Sequence, residues 1–105
     1  MRRLRFELEA VEEIEQAAEW YEERRPGLAR RFLGEIERAQ LKVAERPASY
    51  PRIDAPSPDL VIRRALLSRF PYALVFLDRD EEVRILAVAH TKQRPGYWLN
   101  RLRYT

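Results

Sequence analysis

Three runs of strand-forming residues stand almost end to end in the second half of the chain, and no other feature limits the fold as much. They are "LVIRRALL" (60–67), "YALVFLD" (72–78) and "EVRILAVAH" (82–90), separated only by "SRFP" and "RDE". Val, Ile, Leu, Phe and Tyr dominate them, the side chains that suit a pleated, half-buried surface. Connections this short cannot carry a crossover, so consecutive strands must be antiparallel neighbours in a meander. The centres of the last two runs are almost unbroken apolar sequence, which asks for cover on more than one side of the sheet. Strands are expected near 61–68, 72–78 and 82–90.

The first half has a different period. "RLRFELEA" alternates Leu4, Phe6 and Leu8 with Arg3, Arg5, Glu7 and Glu9, the period of two of a half-buried strand near 2–8 that joins the sheet. From Ala10 the spacing becomes helical. Val11, Ile14, Ala18 and Tyr21 share one face with Ala17 beside them, and glutamates fill much of the rest. "RRPG" (24–27) breaks this pattern. A second stripe of Phe32, Leu33, Ile36, Ala39 and Val43 runs on until Pro47, before which the chain cannot comfortably stay helical. Helices are expected near 10–24 and 28–45, forming an antiparallel hairpin. Their charged outer faces are expected to be solvated surface. Residues 46–59 hold four of the seven prolines and are expected to be a stiff loop. The fold class is therefore α+β: an N-terminal strand and a helical hairpin packed on one face of a small antiparallel sheet, whose other face need not be covered by this chain.

At 105 residues the chain is expected to be a single domain, 1–105. No apolar run approaches the roughly 18 residues of a membrane span. The basic start leads into carboxylates rather than an apolar segment, unlike a signal peptide. With no cysteine and one histidine, thiolate and histidine-cluster metal sites are excluded, and a cytoplasmic location is expected. The basic residues are 18 Arg and 2 Lys. Coding bias would explain them, and so would a need for guanidinium forks against phosphates or carboxylates. Residues 1–46 carry net charge −1 and residues 47–105 net +4, so an anionic partner is expected on the second half.

Few groups are placed for chemistry. No serine lies in a nucleophile elbow, and the three glycines are too scattered to cradle a phosphate. What remains is a basic and aromatic set in the sheet half: Arg63, Arg64, Arg69, Tyr72, His90, Lys92, Arg94, Tyr97, Trp98 and Arg101. Cations beside aromatic rings suit an RNA or phosphate surface. Equally, Tyr97 and Trp98 could plug the core while the cations are ordinary surface, and His90 could make only a local hydrogen bond at a strand end.

Three stretches in order, "AAEWYEERRPGLARRFLGEIERA" (17–39), "RRALLSRFPYALVF" (63–76) and "ILAVAHTKQRPGYW" (85–98), resemble the RelE/ParE superfamily of type II toxins, which includes plasmid stabilisation proteins. The W-Y pair, the P-G-L start of the second helix, the R-R…F-P-Y strand pair and the A-V-A-H strand followed by R-P-G-Y-W resemble the ParE-like branch. The resemblance spans nearly the whole chain and implies the same α+β fold. It also implies a cognate antitoxin that would wrap the toxin with a helix and an extended segment, giving a hetero-oligomer. ParE-type members poison DNA gyrase by binding, with no catalytic set and no cofactor. RelE-type members are ribosome-dependent, metal-independent mRNA endoribonucleases, and some homologues only bind antitoxin. For a ribonuclease, Arg63, Arg64, His90, Arg94 and Tyr97 would carry the chemistry. However, Ala73 stands where the RelE pattern G-Y-R-x-x-Y has its arginine, and the lysine-rich strand before it is missing. A ParE-like binding toxin is therefore expected. Arg69, Lys92 and Arg94 would contact the target, and Tyr97 and Trp98 would clamp the C-terminal turn onto the sheet.

Overall fold

A computed structural model describes residues 1–102. The elements are β1 (Arg3–Phe6), α1 (Leu8–Arg24), α2 (Leu28–Glu45), a 3-10 turn (Pro47–Ser49), β2 (Arg52–Ile53), β3 (Ile62–Leu66), β4 (Tyr72–Asp78), β5 (Glu82–His90) and a final 3-10 turn (Leu99–Leu102). They form one five-stranded sheet in the order β1-β5-β4-β3-β2. The three expected strands and two expected helices are all present, with small shifts at their ends.

Two features depart from the sequence expectation. The sheet is mixed rather than purely antiparallel: β2 to β5 form an antiparallel run, but β1 lies parallel to β5, with Arg3 opposite Glu82 and Phe6 opposite Ile85. β1 runs straight on into α1, which follows β5 in the same direction from Ile85, opposite Glu7, past Val88, at Glu13, to the level of His90, near Tyr21; the reversals at the helical hairpin and at the three connections from β2 to β5 are even in number, so β1 and β5 run the same way. In addition, the proline-rich loop is not wholly irregular. Arg52 and Ile53 pair with Arg63 and Ile62 as a short edge strand.

The helical hairpin packs on one sheet face. Ala10, Ala17 and Tyr21 of α1 and Phe32, Ile36 and Val43 of α2 are buried against Ala65, Leu74, Phe76, Val83, Ile85 and Val88. Tyr21 and Phe32 meet Phe70 edge-on at centroid distances of 4.9 and 5.3 Å, a geometry favoured by the ring quadrupoles. Between the helices, Gly27 takes a left-handed φ of 89°, which a residue with a Cβ rarely adopts. The Glu22 carboxylate accepts from the amides of Gly27 and Ala29, both at 3.1 Å.

The opposite face is covered after all. Trp98 is 4% exposed and packs with Ile62, Val75, Leu77, Leu86 and Ala87, with Ile53, Leu60 and Leu102 around them. A register shift in the β4–β5 pairing explains the unbroken apolar run. Val75 pairs Ala87 but Phe76 pairs Ile85, leaving Leu86 as an extra residue. The alternation resets at this bulge, and both sides of β5 end in packed core.

Candidate functional site

β1 is four residues long and β5 nine, so β1 cannot satisfy the full edge of its neighbour. The last ladder bond runs from the Glu7 amide to the Ile85 carbonyl, 2.9 Å. Beyond it, side chains take over the ladder. The Val88 amide donates to Glu13 Oε1 at 2.9 Å, and Arg101 Nη1 donates to the Leu86 carbonyl at 3.0 Å. Glu13 and Arg101 are themselves paired through both carboxylate oxygens, Nη1 to Oε1 at 2.9 Å and Nη2 to Oε2 at 3.0 Å. Tyr97 donates its hydroxyl to the same Oε2 at 2.6 Å. One carboxylate on α1 thus ties the C-terminal turn, the first helix and the exposed edge of β5 together.

This node fixes the character of its members. Burial, then the hydrogen bond to Glu13, pushes the Tyr97 phenol above its ordinary value. For Arg101 burial opposes the charge, but the hydrogen bonds and charge of Glu13 outweigh it and raise its pKa. A phenol that already donates to a carboxylate and holds its proton tightly is a poor base near neutral pH. Arg84, 6% exposed, plays a similar structural part, donating to the Glu7 carboxylate and to the Arg101 carbonyl.

The remaining candidates separate. Arg63 is on the helix side of β3, between β2 and β4, and is committed, donating to Asp78 Oδ2 at 2.9 Å and to the Tyr50 carbonyl at 2.8 Å. Arg64, its neighbour, is exposed on the opposite face. There it shares a groove of about 380 Å³ with Val75, Ala89, His90, Arg94 and Trp98. His90 Nδ1 accepts the Lys92 amide at 3.0 Å, and its ring meets Tyr72 edge-on at 5.1 Å. That acceptor role leaves Nε2 as the protonated nitrogen of the neutral ring. His90 also lines a second groove, of about 610 Å³, between α1 and the sheet, with Glu13, Trp20, Tyr72 and Tyr97. Lys92 and Arg94 are exposed on the turn after β5. Gly96 gives this turn its φ of 83°, and a Cβ there would come within 3.2 Å of Leu99. Arg69 does not join Lys92 and Arg94. It lines a different groove, with Arg30, Arg31 and Arg38 of α2.

The sequence expectation places Glu13 on a solvated face with the other glutamates of α1, and the structure instead puts it at the centre of this node. A signal was present: Glu13 falls three residues after Ala10 and four before Ala17, on the buried stripe of α1.

The comparisons with known proteins agree with this fold. Residues 4–95 match the family model described as the ParE toxin of the type II toxin-antitoxin system, parDE. The chain belongs to the ParE toxin family. Among solved structures it is similar to a chain of the chromosomal ParDE toxin-antitoxin system from P. aeruginosa, with a TM-score of 0.70 at 18% identity, covering 86% of this chain and 96% of that one. At that identity the likeness is one of fold. A comparison with curated protein sequences gives no match. In this ParE-family chain no helix among the described residues is long and apolar enough to cross a membrane.

Proposed function

We propose that this chain, acting in the cytoplasm as one domain over residues 1–105, is a toxin that works by binding a target, DNA gyrase, and that a cognate antitoxin neutralises it. The observation that carries this reading is the family match over residues 4–95. The state of the catalytic candidates supports it: Tyr97 is held by Glu13, and Arg63 by Asp78 and the Tyr50 carbonyl. Lys92 and Arg94, exposed on the turn after β5, are the contact residues of this reading. Antitoxin binding would add an extended segment to the outer edge of β1 or β2, the two edge strands. The edge of β5 beyond β1 is already filled by Glu13 and Arg101.

Arg64 and Arg94 do share a groove with His90, and that placement favours a second reading as a ribosome-dependent ribonuclease. One pair of assays decides. Pure protein is tested for inhibition of gyrase supercoiling and for cleavage of mRNA on ribosomes. Inhibition of supercoiling, relieved by the co-expressed antitoxin and without mRNA cleavage, is the expected result. Codon-positioned cleavage with supercoiling untouched would replace the binding toxin with the nuclease.

A further inference from the structure

Four arginines converge on a groove that shares no residue with the node Glu13 organises. Arg30, Arg31 and Arg38 come from α2 and Arg69 from the turn between β3 and β4. They rim a cavity of about 560 Å³ whose apolar lining includes Leu28 and Phe70. The carboxylate in this lining, Glu35, is already occupied by Ser68 Oγ and Arg38 Nη2, both at 2.6 Å. Arg30, Arg31 and Arg69 make no ion pair among the described residues.

The placement of two of these arginines runs against local electrostatics. A helix N-terminus carries positive partial charge and favours acidic side chains. α1 follows the rule with Glu9 in its first turn. α2 has no acidic residue in its first turn, and Arg30 and Arg31 stand there instead. Glu22 caps the amides at this helix start but pairs with neither arginine, so an anion in the groove would meet guanidinium groups that no carboxylate among the described residues neutralises.

We infer that this groove docks an acidic segment of a partner protein, an apolar side chain seated on Leu28 and Phe70 and flanking carboxylates on Arg30, Arg31 and Arg69. The apolar floor favours a peptide over a bare phosphate chain. Phe70 is the one aromatic ring in this lining, too few for the successive stacking platforms that hold single-stranded nucleic acid. Guanidinium groups match carboxylates in paired geometry. The inference stands apart from the identity of the toxin's target, since it uses none of the residues on the turn after β5.

The test is fluorescence anisotropy on the full chain with a labelled synthetic peptide of alternating Glu and Leu. A peptide with Gln in place of Glu, and single- and double-stranded oligonucleotides, serve as competitors. The acidic peptide should bind at least about tenfold more tightly than the Gln peptide, and less tightly as salt rises. Joint Arg31→Glu and Arg69→Glu substitution should weaken it about a hundredfold, while Arg52→Glu, on β2, leaves it unchanged. Arg69→Gln alone should give a partial loss, which keeps the test open if the double variant folds poorly. Equal binding of the two peptides, equal loss in Arg52→Glu, no effect of Arg69→Gln, or displacement of the peptide by an oligonucleotide at lower concentration would overturn the inference.

Discussion

Arg94 and Arg101 belong to the same C-terminal segment and are the same residue type, yet they live in opposite environments. Arg101 is 9% exposed, grips Glu13 through two nitrogens and closes the β5 edge through the Leu86 carbonyl. Arg94 is exposed at the edge of a groove on the other face. What separates them is the distance each side chain travels into the protein before finding a partner. A buried guanidinium is tolerable only when a carboxylate meets it. An exposed one costs little to hold and remains available to another molecule. Among the cations of the sheet half, Arg63, Arg84 and Arg101 are therefore fasteners, while Arg64, Lys92 and Arg94 are exposed.

Removing the anchors should break the fastened end most severely. Trp98→Ala should cost roughly 3–5 kcal/mol of unfolding free energy, read from denaturant titration, because it empties a filled site between Leu86, Val75 and Ile62. Arg101→Ala should cost about 3 kcal/mol, since it leaves the Glu13 carboxylate partly buried without its cation. If Arg101→Ala were as stable as wild type, the division into fasteners and contacts would fail at its strongest point.

Tyr97 separates the two environments through pH. The folded-state pKa of Tyr97 lies above the unfolded value near 10.0. Its contribution is therefore fully present below pH 10 and is lost as pH rises through the folded value. Burial also raises Tyr21, Tyr50 and Tyr72. Stability should thus fall above about pH 10, and the fall should be shallower in Tyr97→Phe than in wild type. At neutral pH the same substitution should cost about 1 kcal/mol, the net worth of one hydrogen bond. A slope unchanged by the substitution, in parallel alkaline melts, would show that the phenol is not coupled to folding.

Much of this arrangement was legible in the sequence, and the rest was hidden for definite reasons. Period and turn chemistry placed the helices and the three long strands, because Pro47, Pro26–Gly27 and the short connections leave few alternatives. The parallel placement of β1 was not visible, since it follows from the parity of chain reversals and not from any residue in β1. β2 is two residues long, below what alternation can reveal. The Glu13–Arg101 pair joins residues 88 positions apart, and local spacing carries no information about such a partner. The same holds for Arg69, which looked like a neighbour of Lys92 and Arg94 but shares its groove with α2.

The smallest expected effect on stability belongs to Arg94→Ala, within about 0.5 kcal/mol of wild type, as for exposed positions generally. Its effect on function should be larger. Wild type, Arg94→Ala and Tyr97→Phe, each confirmed folded by its melt, are titrated into a gyrase supercoiling reaction. The account predicts that Arg94→Ala needs severalfold more protein for half-inhibition, in keeping with the loss of one exposed contact of about 1 kcal/mol or less, while Tyr97→Phe inhibits like wild type. Inhibition abolished by Tyr97→Phe and untouched by Arg94→Ala would contradict it, because the fastener would then be the functional group and the free cation mere surface.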